Sequence, residues 1–257
     1  MVRARKRFSQ NFLTDESVAY AMAAAIGLQP TDRLLEVGPG RGALTHVLSQ
    51  YPVGRYVAVE IDRDLIAYLA QAFPDLELLN DDVLRIELRS LLAGGDWRVV
   101  GNLPYNISTP LLVRLFAHCG LIRDMHFMLQ REVAQRLAAV PGTKQWGRLS
   151  VLAQYHCEIE SLFEVPPESF SPAPKVHSCV VRFVPHNQPY ALQDAKCLDL
   201  VLRHAFAGRR KRIANALKSV PLRWQELSLP ADARPDQLTV ADYVAIANAC
   251  DVTGDEV

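Results

Sequence analysis

The sequence predicts an α/β fold with a doubly wound, mostly parallel sheet, followed by a small C-terminal domain built only of helices. Over the first two thirds of the chain, short apolar runs rich in Val, Ile and Leu alternate with amphipathic stretches. This alternation is typical of buried parallel strands in βαβ units. The runs that predict these strands are residues 34–37, 56–61, 76–79, 98–100 and 126–129. Two later runs, residues 159–165 and 179–184, are expected to close the sheet as an extended pair.

A boundary between two domains is predicted near residue 187. Between Pro185 and Pro189 the sequence contains only prolines and polar residues, which is typical of a linker. Beyond it, apolar residues recur at helical spacing from Leu198 to Leu217. We therefore expect one domain over residues 1–186 and a helical domain over residues 187–257.

The composition is that of an ordinary globular protein. Of the 257 residues, 49% are hydrophobic and 22% are charged. The basic N-terminus is not followed by the apolar stretch of a signal peptide, so we expect a cytoplasmic protein with no membrane partner. The five cysteines form no Cys-x-x-Cys pair, so neither a disulfide framework nor a metal site is predicted. Basic and acidic residues both number 28, so any attraction to a polyanion must be local.

A glycine-rich loop follows the first predicted strand and precedes a helical pattern. It contains Gly38, Gly40 and Gly42, and glycines at this place let the backbone approach a ligand closely. Gly38, Gly40 and Ala43 also satisfy the fingerprint of nicotinamide dinucleotide sites. Glu60 ends the second strand and could accept the ribose hydroxyls of either a dinucleotide or another adenosine-containing cofactor.

A second acidic position favours one of these cofactors. Asp81 and Asp82 close the third strand, and the Asp82 carboxylate can accept a hydrogen bond from an adenine amino group. S-adenosylmethionine has no pyrophosphate, and its hydroxyls, adenine amine and ammonium all require acceptors. A series of carboxylates at successive strand ends therefore indicates S-adenosylmethionine rather than a dinucleotide.

The most specific signal is the sequence Asn102-Leu103-Pro104-Tyr105, which follows the fourth strand. An exocyclic adenine amine is a poor nucleophile because its lone pair is delocalised into the ring. The side-chain oxygen of Asn102 and the backbone carbonyl of Leu103 could accept its hydrogens and localise that lone pair. Pro104 would stiffen the turn, and Tyr105 offers a flat face on which a flipped base can stack.

At this point the chain resembles the ribosomal RNA adenine dimethylase family of small-subunit type over nearly its whole length. The matching stretches are residues 5–13, 36–45, 101–110, 125–133 and 164–176. The resemblance implies a Rossmann-like class I methyltransferase domain that dimethylates two adjacent adenines near the 3′ end of small-subunit rRNA. It implies an immature 30S particle as the substrate, and we expect a monomer without a metal.

The resemblance also implies roles for individual residues. The cofactor contacts of the family fall on Asn11, Leu13, Gly38, Glu60, Asp82 and Asn102. The platform for the target base falls on Tyr105 and, from the far side of the pocket, on Phe170. An isolated phenylalanine is more often a core residue, but the prolines that follow Phe170 would hold its ring rigidly.

A basic cluster in the helical domain is the candidate contact with RNA phosphates. It consists of Arg209, Arg210, Lys211 and Arg212, inside a stretch from residue 203 to 218 with no acidic residue. The N-terminal residues Arg3, Arg5, Lys6 and Arg7 form a second basic segment.

Three other functions remain open from the sequence. A resistance-type methyltransferase of large-subunit rRNA would share the chemistry of the Asn102 loop. An NAD-dependent oxidoreductase would explain the glycine loop but not residues 102–105. A non-catalytic RNA-binding assembly factor would need only the basic cluster.

Overall fold

The computed structural model describes residues 11–187, 190–208, 211–230 and 232–251. The chain divides into two compact units. The first contains the residues up to Ala134 together with Glu158–Pro185, and the second contains Gln135–Cys157 together with the residues from His186 onward.

The first unit is built on a seven-stranded sheet. Its strands are β2 (Arg33–Val37), β3 (Arg55–Glu60), β4 (Glu77–Asn80), β5 (Trp97–Asn102), β6 (Ile122–Gln130), β7 (Cys157–Val165) and β9 (Ser178–Pro185). Their order across the sheet is β4-β3-β2-β5-β6-β9-β7. The five strands from β4 to β6 are parallel, and β9 is antiparallel to β6. The predicted α/β class with a mostly parallel sheet is confirmed.

The strand order reverses between β2 and β5, because β3 and β4 extend the sheet to one side and β5 and β6 to the other. In open parallel sheets this reversal opens a crevice beyond the carboxyl ends of the strands, where ligands bind. The glycine loop after β2 and the Asn102 loop after β5 therefore meet at this crevice.

Helices connect the strands of this unit. They are α1 (Glu16–Ile26), α2 (Ala43–Leu48), α3 (Arg63–Ala72), α4 (Leu88–Leu91), α5 (Ser108–Phe116) and α6 (Arg131–Leu137), which contains the unit boundary. The start of α1 is capped by the Asp15 carboxylate, which accepts from the backbone N–H of Ser17 at 3.0 Å. The helix ends at Gly27 in the left-handed conformation, a common helix terminator.

A short antiparallel pair, not predicted from the sequence, lies outside the main sheet. In it β1 (Phe12–Leu13) pairs with β8 (Phe170–Ser171). The N–H and the hydroxyl of Thr14 both donate to the Ser169 carbonyl, at 2.9 and 3.1 Å. We call residues 11–15 the N-terminal strap, since these bonds hold the segment against the loop that precedes β9.

The second unit contains α7 (Arg148–His156), α8 (Ala195–Phe206), α9 (Ile213–Ala216) and α10 (Val240–Asn248). The sequence analysis placed residues 135–157 in the first domain, whereas the structure packs them into this unit. Trp146 explains the difference, because its ring is buried in the helical core and its Nε1 donates to the Leu238 carbonyl at 3.0 Å. Within the described part of the chain, no helix combines the length and apolarity that crossing a membrane requires.

A buried ionic network ties together the amino ends of the central strands. The Arg98 guanidinium is 8% exposed and donates to both carboxylate oxygens of Asp124, at 2.9 and 2.6 Å, and to Asp32 at 3.0 Å. Arg123 donates to the other oxygen of Asp32 at 2.6 Å. Each buried charge therefore has an opposite partner, which offsets the desolvation of the group.

His126 of β6 is fully buried beside this network and makes the stability pH-dependent. Neither ring nitrogen has a hydrogen-bond partner among the described residues, and burial lowers the pKa of the ring to about 4 from its usual 6.5. The unfolded chain therefore takes up a proton near pH 6.5 that the native ring does not accept until about pH 4. The stability that the neutral ring contributes is complete above pH 6.5 and is lost as the pH falls toward 4.

We predict that His126→Phe flattens this acid dependence. The difference between the pKa of His126 in the unfolded and in the native chain corresponds to about 3 kcal/mol, since one pKa unit is about 1.4 kcal/mol. Urea unfolding of the parent and the variant between pH 7 and pH 4 measures it, and the parent should lose about 3 kcal/mol more of its free energy of unfolding. Parallel curves for the two proteins would show that the native ring titrates normally.

Candidate active site

An open cleft of about 1220 Å³, a volume that includes its opening to solvent, lies at the carboxyl ends of β2, β3, β4 and β5. Most of the residues predicted to form the site line it. These are Asn11, Leu13, Gly38, Glu60, Asp82, Asn102, Leu103, Pro104 and Tyr105. The cleft is closed on one side by the N-terminal strap.

The glycine loop is held to the end of β3 by two hydrogen bonds. The Gly38 N–H donates to the Val59 carbonyl at 2.9 Å, and the Gly40 N–H donates to Glu60 Oε2 at 3.1 Å. Gly40 has a φ of +60°, and a Cβ atom there would lie 3.1 Å from the ring of Phe12 in the strap. The loop therefore needs glycine both for its backbone conformation and for the close approach of the strap.

Glu60 lies at the end of β3 with 5% of its surface exposed. Its second oxygen, Oε1, accepts from the Asp62 N–H at 2.9 Å. Burial raises the pKa of this carboxyl, and the backbone N–H groups of Asp62, Gly40 and Ile61 oppose that rise. A carboxylate can accept about four hydrogen bonds, so the group can still accept from a ligand hydroxyl.

Glu36 is a second buried carboxyl in the cleft, and the sequence analysis did not select it. It is 1% exposed, and its Oε2 accepts from the Thr45 hydroxyl at 2.8 Å and the Tyr56 hydroxyl at 2.5 Å. Burial raises its pKa to about 7, with a smaller contribution from Glu60. The signal available in the sequence was an acidic residue inside an otherwise apolar strand, directly before the glycine loop.

The two aspartates after β4 both line the cleft and have different local contacts. Asp81 Oδ1 accepts from the Asp82 N–H at 2.7 Å. Asp82 Oδ1 accepts from the Leu84 N–H at 2.9 Å, and its Oδ2 lies 3.5 Å from Arg85 Nε. The adenine-binding role assigned to Asp82 stays a prediction.

Asn102 ends β5 in a defined orientation. Its Nδ2 donates to the backbone carbonyl of Asn11 in the strap at 3.1 Å, which fixes which end of the amide is the donor. No donor within the described ranges reaches its Oδ1, so this oxygen remains available as an acceptor. Gly101 allows β5 to approach β2 here, because a Cβ atom at this position would collide with the Val37 carbonyl.

Three hydrogen bonds hold the backbone of the loop after Asn102. The Leu103 N–H donates to the Met128 carbonyl at 3.3 Å, and the Pro104 carbonyl accepts from the Ile107 N–H at 3.1 Å. The backbone carbonyl of Tyr105 accepts from the Ser108 hydroxyl at 3.1 Å. Leu103 lies in the cleft wall with its backbone carbonyl uncommitted to these bonds.

Tyr105 is half-buried at the edge of the cleft, and burial raises the pKa of its phenol. Its hydroxyl forms a 2.9 Å hydrogen bond with the hydroxyl of Ser178 on β9.

Phe170 lies elsewhere. It is 4% exposed, packs in the core cluster with Leu13 and does not belong to the cleft lining. A stacking role for Phe170 requires its ring to become accessible to the base, and it stays a prediction.

Of the predicted RNA contacts, Lys211 and Arg212 are exposed residues of the second unit that precede α9. Arg209 and Arg210 lie outside the described residues, as do Arg3, Arg5, Lys6 and Arg7 of the N-terminal segment.

The site therefore combines two kinds of groups. Carboxylates line the half of the cleft formed by β2, β3 and β4, and those of Glu36 and Glu60 are buried. A rigid turn after β5 presents an amide oxygen, a backbone carbonyl and an aromatic ring. This arrangement suits a nucleoside-containing cofactor beside an amine-bearing planar base.

Known proteins resemble this chain over nearly its whole length. Residues 1–253 match the family model described as ribosomal RNA adenine dimethylase. The ribosomal RNA small subunit methyltransferase A of Alcanivorax borkumensis is 51% identical over 252 residues, which cover 96% of this chain and 90% of that protein. The protein of the same name from Marinobacter nauticus is 47% identical over 259 residues, covering 98% and 93%.

Solved structures share the fold. A dimethyladenosine transferase from Plasmodium falciparum superposes with a TM-score of 0.76 at 22% identity, covering 91% of this chain and 95% of that one. The 23S rRNA methyltransferase ErmE superposes with a TM-score of 0.71 at 25% identity, covering 94% and 100%.

Proposed function

Because this chain belongs to the ribosomal RNA adenine dimethylase family, we propose that it dimethylates the N6 atoms of two adjacent adenines near the 3′ end of small-subunit (16S) rRNA. The observation that carries the proposal is the position of the Asn102 loop, in one cleft with the buried carboxylates. The enzyme is thus an rRNA adenine-N6 dimethyltransferase that acts in small-subunit biogenesis.

The cleft fits S-adenosylmethionine as the methyl donor. Glu60 would accept the ribose hydroxyls, and Asp82 would accept the adenine amine. The carboxyl of Glu36 lies in the same wall of the cleft and could accept from the ammonium group of the methionine part. Ile61 also lines the cleft and is 45% exposed, which gives a planar base an apolar surface to cover. When bound, the cofactor supplies a sulfonium-activated methyl group.

The residues of the Asn102 loop activate and place the acceptor amine. Asn102 Oδ1 and the Leu103 carbonyl would each accept one hydrogen of the adenine amine and draw the nitrogen toward tetrahedral geometry. The lone pair of the nitrogen is then directed at the methyl carbon. No general acid is required, because the departing sulfide is neutral, and the product amine can release its proton to water.

The relatives favour small-subunit rRNA over the resistance-type alternative. The small-subunit enzymes are 47–51% identical to this chain, against 25% for ErmE. An oxidoreductase would leave the half-buried, oriented amide of Asn102 without a role. We further propose that the enzyme acts as a monomer, without a metal, on immature 30S particles in the cytoplasm, where these particles are assembled.

Methyl transfer to purified particles tests this function. Small-subunit particles from cells that lack the modification should accept radiolabelled methyl groups, and primer extension should stop at two adjacent adenines. Mature, already dimethylated particles and large subunits serve as controls. Labelling confined to large-subunit rRNA would support the resistance-type alternative instead.

Glu60→Ala is expected to weaken the affinity for S-adenosylmethionine by roughly 1–3 kcal/mol, the usual effect of leaving polar partners unsatisfied. Calorimetric titration measures the affinity, and thermal unfolding verifies that the variant is folded. Because Glu60 also holds the Gly40 N–H, Glu60→Gln separates the two effects, since it keeps one acceptor for the loop. Unchanged affinity in a folded Glu60→Ala protein would remove Glu60 from the cofactor site.

Replacing Lys211 and Arg212 with glutamine is expected to lower the salt dependence of binding to the particle. Each lost phosphate contact reduces the magnitude of the slope of log affinity against log salt by about 0.7–0.9. The slope of the double variant should therefore be smaller in magnitude by somewhat under about two. The matched control replaces Lys196 and Arg234, which are exposed residues of the same unit outside the basic stretch. If both double variants keep the parental slope, the cluster is only a solvated surface.

A further inference from the structure

Ser178 is a buried residue whose side chain contacts the candidate base platform. It is 1% exposed and begins β9, where it pairs with Gln130 of β6. Its hydroxyl lies 2.9 Å from the Tyr105 hydroxyl. The sequence and the family resemblance gave this residue no role.

We propose that Ser178 is a positioning residue that holds the Tyr105 ring in the orientation needed to receive the target adenine. This inference rests on the proposed function, because it assumes that Tyr105 stacks on the base.

The two side chains that form the hydrogen bond differ in how fully they are buried. The backbone around Ser178 is fixed by the antiparallel ladder with β6 and by the Arg131 N–H, which donates to the His177 carbonyl at 3.0 Å. Tyr105 lies in the turn between β5 and α5, and its ring is only half-buried. Serine has a single short side-chain torsion, so it loses little conformational entropy as an anchor.

The hydrogen bond from Ser178 meets Tyr105 at its phenol oxygen, where a partner orients the ring most effectively. The phenol oxygen is the atom of Tyr105 farthest from its backbone, so a partner there restricts both side-chain torsions. The Ser108 hydroxyl fixes the backbone carbonyl of the same residue at 3.1 Å. The ring is therefore held at both ends before any base arrives, which reduces the entropy lost when the base stacks.

A purely structural role gives a different expectation. A buried serine hydroxyl requires a hydrogen-bond partner, and Tyr105 provides one. If that were its whole role, loss of the bond would lower thermal stability and leave the rate of methyl transfer unchanged.

A double-mutant cycle on the full-length enzyme distinguishes the two roles. Ser178→Ala and Tyr105→Phe each remove one half of the same bond, so each should slow single-turnover methyl transfer to unmethylated small-subunit particles by roughly three- to tenfold. The double variant should be no slower than either single variant. Ser161→Ala, an exposed serine on the neighbouring strand β7, should match the parent.

Three outcomes overturn the inference. Multiplicative losses in the double variant would show that Ser178 and Tyr105 act separately. Parental rates in Ser178→Ala would leave Ser178 a structural role only. Absence of methyl transfer by the parent would refute the proposed function and this inference together, whereas in the first two cases the parent stays active and the function stands.

Discussion

Asn102→Ala should slow the methyl-transfer step by roughly 10²–10³-fold, the range observed when one polar group that stabilises a transition state is removed. The interaction of Asn102 Oδ1 with the adenine amine strengthens as the nitrogen becomes tetrahedral, so its loss raises the barrier more than it weakens binding. The affinity for the particle should barely change. Single-turnover rates at saturating cofactor and RNA measure the effect.

The affinity of the variant for S-adenosylmethionine must be measured first, since the family resemblance also assigns Asn102 to the cofactor site. Asn102→Asp is the matched variant, because it keeps an acceptor but loses the N–H that donates to the Asn11 carbonyl. It should fall between the parent and Asn102→Ala. An alanine variant as fast as the parent would exclude Asn102 from amine activation.

Tyr105→Ala should nearly abolish activity, while Tyr105→Phe should stay within about tenfold of the parent. Base–aromatic stacking is worth about 1–3 kcal/mol, and phenylalanine keeps that surface. The phenylalanine variant loses only the hydroxyl and with it the bond to Ser178. Activity at saturating cofactor, compared across the three proteins, measures the contribution of the ring.

The Tyr105 and Asn102 variants should differ in how they affect binding of the target adenine. Loss of the ring should weaken productive binding of the target adenine as well as slow the reaction, because the base is no longer held in the cleft. A phenylalanine variant as inactive as the alanine variant would show that the hydroxyl itself, rather than the aromatic surface, is required.

Local patterns in the sequence were sufficient for the fold class and for most of the cleft. The apolar runs separated by helical patterns predicted the parallel sheet. Both the apolar runs and the helical spacing can be recognised from residues that are close together in the sequence. The glycine loop and residues 102–105 follow directly after buried strands. Because the carboxyl ends of parallel strands lie on one edge, their meeting in one cleft could be predicted without knowing any long-range contact.

Contacts between distant residues were decided only by the tertiary structure. The strap binds Ser169 across 155 positions, the Asn102 amide reaches Asn11 across 91, and Tyr105 meets Ser178 across 73. No local pattern encodes such a partner, because serine, asparagine and threonine side chains bond equally well to many groups.

Burial likewise depended on the whole fold. The sequence left Phe170 either a base-stacking ring or a core residue; the structure packs it in the core, where β8 pairs with β1, and the stacking role stays a prediction. The sequence predicted residues 135–157 as a continuation of the first domain. In the structure, Trp146 shares a core with residues of α8 and α10, and α8 begins about 50 positions after it in the sequence. The sequence by itself determined the parallel sheet and the edge at which the glycine loop and the Asn102 loop lie, since these follow from local periodicity and strand direction. The tertiary structure decided which side chains are buried and how Asn102 and Tyr105 are held, because a side chain finds its apolar neighbours and polar partners anywhere along the chain.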